Sequence, residues 1–565
     1  NEGMTDMAGS GSILGNAVVR LEDPTLLTGE GKYVDDLVEP GMLYVALARS
    51  SAAHGTINSV DVDDAAAMPG VVAVFHAGND LGMPAMQGFP MLPDTFNRPI
   101  FAGDRVRFVG DVIAAVIAES QAQANDAAEA VLADIEPLPV VMNAADGLAP
   151  DAPLLFPDNG SNVCFATEFG KEGGDPCEGA DAVAEVTMVS QRLAGVPMEN
   201  NGVVAVPEDG GVTMWLSHQA PHSVHGAYAP MLGLEPEQLR IVCPWVGGGF
   251  GPKAAGYVEH LIAAKAALTL GKPVKWVASR SEDMVALVQG RDYVMTARLG
   301  VNNDGTIVGL DSQVLAAAGA YPAIGAILPM LTQMMSVGVY EIPKVRYDAK
   351  TVLTNNTTVG AYRGAGRPEA TQLIERVLDV AAHQIGMDPA EIRRRNFIRP
   401  EQFPYRTHLG EVYDTGDFSR VLDRLLEISG WKTFPAREEQ SRKRGKLRGR
   451  GLSVYLEWTG ALPTETVDIE LDAQGNVTVF SGTQAMGQGL ETTYTQLVVE
   501  ILGIEPNLIK IVQGDTDRAN GVGSVGSRSA FVGGSAVVAA GREVIVKCRQ
   551  LAADALEAAP ADIEF

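Results

Sequence analysis

Apolar positions along this chain follow two rhythms, and the places where one gives way to the other outline its organisation. From about Val18 to Met142, strand-like and helical spacings mix. Val112 to Ala118 is a continuous apolar run with the character of a short buried strand, and Ser120 to Ala133 reads as an alanine-rich amphipathic helix. Pro137, Pro139, Pro150, Pro153 and Pro157 then mark a linker. In a second region, about 155 to 420, Leu239 to Val246 is strand-like. Ala370, Leu373, Ile374, Val377 and Ala381 fall on one helical face, Gly386 is suited to cap that helix, and Asp388-Pro389-Ala390-Glu391 carries the start signals of another. A third region begins near Gly451. There Val467, Ile469 and Leu471 alternate with Asp468 and Glu470, and a closing helix is expected over Arg542 to Leu556.

At 565 residues the chain is too long for one core, and 46% apolar with 20% charged residues is a globular composition. The net charge of −27 disfavours nucleic acid and anionic membranes as partners. The basic stretch Arg437 to Arg450 is therefore read as a solvated linker. Ser312 to Tyr340 lacks charge and is long enough to span a bilayer. Glycines, prolines and glutamines interrupt it, so it is read as a buried segment beside the active-site channel, and no membrane span is expected. Cys164, Cys177, Cys243 and Cys548 form no CxxC, as in a reduced cytoplasmic protein, and give no spacing for an iron–sulfur cluster. Asn1 to Gly15 has no signal-peptide pattern.

The chemistry begins at Gly247-Gly248-Gly249-Phe250-Gly251-Pro252-Lys253, a glycine-rich turn at a strand end, suited to close approach of backbone N–H groups to an anion or cofactor. It is not a P-loop, because Pro252 separates Gly251 from Lys253 and Ala254 follows. A dinucleotide fingerprint begun at Gly249 has no acid about twenty residues on. Gly521 to Gly526 matches GxGxxG in letters, but no strand adjoins it. His218, His222 and His225 have zinc-like spacing, interrupted by Pro221 and without an HExxH glutamate. Alone, the turn leaves its ligand open.

Its company narrows the choice. Gln219-Ala220-Pro221-His222, Gly360 to Glu369, Gly487-Gln488-Gly489-Leu490-Glu491-Thr492-Thr493 and Gly526-Ser527-Arg528-Ser529 follow in order, after an opening with Arg20-Leu21-Glu22-Asp23 and Asp35-Asp36. Together they resemble the molybdenum-binding large subunit of the molybdenum hydroxylases, the family of xanthine dehydrogenase, aldehyde oxidoreductase and aerobic CO dehydrogenase. The resemblance covers the whole chain. It implies an α+β protein with an N-terminal α/β hammerhead domain at 15–145 and two mixed α/β molybdopterin-binding domains, at 155–425 and, incomplete, at 450–565.

The resemblance further implies molybdenum held only through the dithiolene of a molybdopterin, of which the cytosine dinucleotide form is usual in bacterial members, with no protein ligand to the metal. Gln219, Phe250, Gly251 and Arg363 would serve catalysis. The backbone N–H groups of Gly249, Phe250 and Gly251 and the amide of Gln219 would meet the metal's oxygen ligands, and Arg363 would stabilise developing negative charge. Gln488, Gly489 and Thr492 would cradle the pterin or pyrophosphate, and Gly526, Ser527, Arg528 and Ser529 the phosphate. Glu199 would be structural support. Where copper-using CO dehydrogenases have cysteine after Ala-Tyr-Arg, this chain has Gly364. Where purine-oxidising members have glutamate after the lysine of the glycine turn, it has Ala254. An aldehyde or aromatic N-heterocycle, hydroxylated with oxygen from water, remains as the expected small-molecule substrate.

Iron–sulfur clusters and FAD are expected on partner subunits. The family's glutamate base lies on a further stretch, which a second polypeptide would supply unless this chain is truncated. The isolated chain is thus expected to be inactive. The alternative is a non-catalytic cofactor-binding or maturation scaffold lacking the base.

Overall fold

The computed structural model describes residues 12–565; the reading of the leader falls for residues 1–11 outside the described part. A seven-stranded mixed sheet runs in the order Leu239–Val242, Gly211–Leu216, Gly202–Glu208, Val274–Val277, Leu43–Arg49, Val112–Ala118, Val71–His76. Val112–Ala118 is buried at every position, as its unbroken apolar run requires. Leu43 and Tyr44 pair in parallel with Val274 and Lys275, so one sheet crosses the proline-rich linker and joins the first two regions. The helix Val258–Leu270 is buried along most of its length against this sheet. Its buried Glu259 is neutralised by Arg49 Nη1 at 2.9 Å, a second tie across the same joint.

A five-stranded sheet follows, ordered Val163–Phe169, Val345–Leu353, Ile307–Gly319, Tyr293–Val301, Ala182–Ser190. The helix Arg367–Gln384 covers it with the predicted face, Ala370, Leu373, Ile374, Val377 and Ala381 all being buried. Gly386 takes φ 70° just beyond the helix end, and the Asp388 carboxylate accepts from Ala390 N at 2.8 Å to start the helix Pro389–Asn396. The uncharged run Ser312 to Tyr340 folds as the end of the strand Ile307–Gly319, a short turn and the helix Leu328–Met335, so it contains no continuous helix of spanning length.

The third region has a three-stranded sheet, Val467–Leu471, Val477–Ser481 and Ile509–Val512, backed by the helices Leu490–Leu502 and Gly534–Leu556. Three expectations change here and elsewhere. Leu471, at the end of an edge strand, is 47% exposed rather than sharing the core with Val467 and Ile469. The helix after Ser120 ends at Glu129, because Leu132–Pro137 is drawn into a strand pairing with Gly55–Asp61. The basic stretch is helical over Phe434–Lys443, where Glu438–Arg442 and Glu439–Lys443 pair one turn apart. The segment Ser529–Leu556 is long and apolar enough to cross a membrane by length and composition, but Gly541 brings it against Ile501 of the neighbouring helix.

Candidate functional site

The glycine turn leaves the edge of the seven-stranded sheet after Val242. Gly248, Phe250 and Gly251 have φ of 94°, 57° and 108°. A side chain at Gly251 would run into the carbonyl oxygen of Ala361, and a Cβ at Gly249 would sit 2.6 Å from Gln219 Oε1 and 2.5 Å from Met486 Sδ. Beneath the turn lies a buried clamp. Lys253, 0% exposed, donates through Nζ to Ser217 Oγ at 2.6 Å, to the Glu199 carbonyl at 2.8 Å and to Glu199 Oε2 at 3.1 Å. The same carboxylate oxygen accepts from Gly247 N at 2.7 Å and Ser217 Oγ at 2.5 Å. Burial lowers the Lys253 pKa, and the Glu199 charge opposes that shift. Glu199 and Lys253 thus fix the turn from below.

Gln219 is buried beside the turn. Its Oε1 accepts from Gly251 N at 2.9 Å, its Nε2 donates to Ser524 O at 2.8 Å, and its carbonyl accepts from Ser524 N at 2.9 Å. The Gly251 N–H and one amide hydrogen of Gln219, both expected to face a ligand, are therefore spent within the protein. Among the described residues, the N–H groups of Gly248, Gly249 and Phe250 have no protein acceptor. The arginine loop packs directly on the turn, where Arg363 N donates to Phe250 O at 2.8 Å. The Arg363 side chain is exposed, with no ion pair among the described residues.

The third region closes on these groups through Ser524, whose hydroxyl donates to Gln484 O at 2.8 Å, and through Met486. Gln488 braces its own loop, with Oε1 accepting from Met486 N and Nε2 donating to Gln484 O at 2.9 Å. Gly487 and Gly489 have φ of 94° and 81°, and no side chain caps the helix Leu490–Leu502 that follows, an N-terminus open to an anion. Two predicted ligands are used differently. Thr492 is buried, donating to Glu22 Oε2 at 2.5 Å and accepting from Leu21 N at 2.8 Å, so the N-terminal segment occupies it. Arg528 is 0% exposed. It pairs with Glu465 and donates to the carbonyls of Thr464, of Gly523 at 2.8 Å, of Leu462 at 3.2 Å and of Ala461 at 3.3 Å, so four of its five N–H donors are committed within the protein and the group is buried away from a phosphate. Ser529 Oγ donates to Ser524 Oγ at 2.7 Å, and exposed Ser527 donates to Glu457 Oε1 at 2.8 Å beside exposed Gly526.

The structure thus brings Gln219, Gly249, Phe250, Gly251 and Arg363 to one place. Gln488 and Gly489 lie on the adjoining loop, and Thr492 and Arg528 are turned inward. Ser524, Met486 and Glu465 were not singled out from the sequence. Ser524 lies inside the glycine pattern that was tested only as a dinucleotide fingerprint, and Glu465 had no local signal. The exposed arginine, the free N–H groups and the uncapped helix end supply donors. That chemistry fits a large anionic cofactor held by hydrogen bonds. Among the described residues, no group of three His, Cys, Asp or Glu side chains is placed to hold a metal ion. His218, one of the zinc-spaced histidines, is committed to Ala220 N and Ala255 O, and burial pulls its pKa down to about 4.

Residues 28–139 match the family described as aldehyde oxidase and xanthine dehydrogenase, a/b hammerhead domain, and residues 155–397 and 424–565 each match the molybdopterin cofactor-binding domain. The chain is 36% identical to the carbon monoxide dehydrogenase large chain of Hydrogenophaga pseudoflava, covering 96% of this chain and 72% of that one. It is 33% identical to the nicotine 6-hydroxylase large subunit of Paenarthrobacter nicotinovorans, covering 98% and 70%. Quinoline 2-oxidoreductase of Pseudomonas putida 86 superposes with a TM-score of 0.93 at 32% identity, over 98% of this chain and 73% of that chain. The chain belongs to the molybdenum hydroxylases, molybdenum-dependent oxidoreductases, and within them to the molybdopterin-binding large subunits.

Proposed function

We propose that this chain binds the molybdenum cofactor of a hydroxylating dehydrogenase that oxidises an aromatic N-heterocycle or an aldehyde, with water as the oxygen source. What supports the reading most is one juxtaposition. An exposed arginine, without an ion pair among the described residues, is tied by its own backbone N–H to Phe250 O, beside the N–H groups of Gly248, Gly249 and Phe250, which have no acceptor among those residues. Such preorganised donors stabilise negative charge at no reorganisation cost. Relatives named for nicotine and quinoline favour the heterocycle. Gly364 offers no thiol where a copper-using CO dehydrogenase has cysteine, so the likeness to that enzyme is taken as one of scaffold.

In this reading Gly249, Phe250 and the remaining amide hydrogen of Gln219 hold the metal end of the cofactor. Gly487, Gln488, Gly489 and the helix end after them hold its pterin and pyrophosphate, and Gly526, Ser527 and Ser529 border the phosphate. When bound, the molybdopterin, in its cytosine dinucleotide form, supplies the oxidation of the substrate carbon. The chain's own work is to bind and orient. The Glu199–Lys253 clamp fixes the height of the turn, and Arg363 places a permanent cation where charge develops.

An iron–sulfur subunit and an FAD subunit complete the proposed complex. Relatives named as a large chain, a large subunit and a complex subunit gamma favour such an assembly. A cytoplasmic location fits the four free cysteines. Elemental analysis of the complex from its own source, with its polypeptides identified by mass spectrometry, tests the reading. Molybdenum near one per chain, with iron, is expected. An intact partner set without molybdenum would leave the non-catalytic scaffold in its place.

A further inference from the structure

The arginine loop is gripped from behind by a residue that the cofactor reading does not use. Arg291 and Asp292 are consecutive non-glycine residues at φ 67° and 76°, a left-handed conformation that persists only where its surroundings impose it. Gly290, just before them, packs so tightly on Tyr362 that a Cβ would overlap that side chain. Asp292 is held outward by Arg192, whose Nη2 lies 2.8 Å from its carboxylate. Arg291 is turned inward and 8% exposed. Its Nη1 donates to Tyr362 O at 3.0 Å and its Nη2 to Arg363 O at 2.6 Å, and the guanidinium lies 4.9 Å from the Tyr362 ring centre. Its Nε is 3.5 Å from Glu369 Oε1.

Glu369 is itself unusual. It is 1% exposed, and neither carboxylate oxygen has a hydrogen-bond partner among the described residues. A carboxylate buried this way is costly, and what it gains here is the Arg291 charge. The peptide of Arg363 is thus fixed at both ends, its N–H by Phe250 O and its carbonyl by Arg291. The exposed side chain between has no partner among the described residues, so the backbone sets its direction.

We infer that Arg291, oriented by Glu369, is a positioning residue that aims Arg363 at the cofactor site. This rests on the role given to Arg363 above.

The test uses the complex with its partners and compares Arg291→Met, Arg363→Ala and the double variant, with molybdenum per chain measured on each. Arg363→Ala is expected to lower kcat by about 100-fold and Arg291→Met by about 10-fold, with the double variant no worse than Arg363→Ala, because the first residue acts only through the second. Losses that multiply in the double variant overturn the inference. Full activity in Arg363→Ala overturns the role of Arg363 instead, and a second readout judges Arg291 apart from it. Limited trypsin cleavage after Arg363 should rise about 10-fold in Arg291→Met and less in Arg291→Lys, at unchanged molybdenum content, as a held segment opens. Cleavage at the wild-type rate overturns the inference. If Arg291→Met does not accumulate, Glu369→Gln, which keeps the shape and removes the charge, carries the same two comparisons.

Discussion

The loop Gly360–Gly366 and the loop Gly523–Ser529 look alike in sequence, each a single arginine in a glycine-containing run, yet their arginines have opposite fates. Arg363 reaches solvent with no ion pair among the described residues, and its backbone is held by Phe250 and Arg291. Arg528 is wholly buried, and its guanidinium is committed to Glu465 and surrounding carbonyls. In one loop the protein spends other groups to hold an arginine ready. In the other it spends the arginine to hold the loop. A permanent cation near glycines is therefore no guide to ligand binding until its partners are counted.

The comparison breaks most sharply at Arg528. Replacing it with methionine strands the buried Glu465 carboxylate, and the urea midpoint should report a loss of about 3–5 kcal/mol. A loss near zero would return Arg528 to the list of phosphate ligands. A medium effect belongs to Glu369, whose pKa burial raises above its ordinary value of 4.5, the Arg291 charge only partly offsetting this. The folded state then binds the proton more tightly than the unfolded one. The contribution of this group to stability is present below pH 4.5 and is lost as pH rises through the raised value. Against Glu369→Gln, the wild type should lose stability more steeply as pH rises from 4.5 to the raised value, and run parallel to the variant beyond it. Parallel pH profiles throughout would mean that the carboxylate is not buried as described. The smallest effect is expected for Arg363→Ala. A side chain without partners among the described residues should change stability by no more than about 0.5 kcal/mol, whatever it does to turnover, and a larger loss would make Arg363 a strut like Arg528.

Much of the architecture was legible in the residues. The buried strand Val112–Ala118, the helix face from Ala370 to Ala381 and the cap at Asp388 are local patterns, and the structure keeps them. Helix and strand ends were less legible. Leu132–Pro137 became a strand because Gly55–Asp61 offers it a partner, which no local pattern announces. At the site, the glycine turn, Gln219 and the arginine loop were read together because their motifs come in order. The inward turn of Thr492 was invisible, since its partners Leu21 and Glu22 lie more than four hundred residues away along the chain.

The sequence alone determined which backbones can bend tightly enough to meet a cofactor, because glycine freedom at Gly248 and Gly251 is a property of the residue itself. It also determined the ordered set of motifs that places the chain in its family. Only the tertiary structure decided which donors are free. A hydrogen bond is a pairwise matter between groups distant in sequence. Whether Gly251 N–H faces a ligand or Gln219, and whether an arginine faces a phosphate or Glu465, is settled by what folding brings within reach.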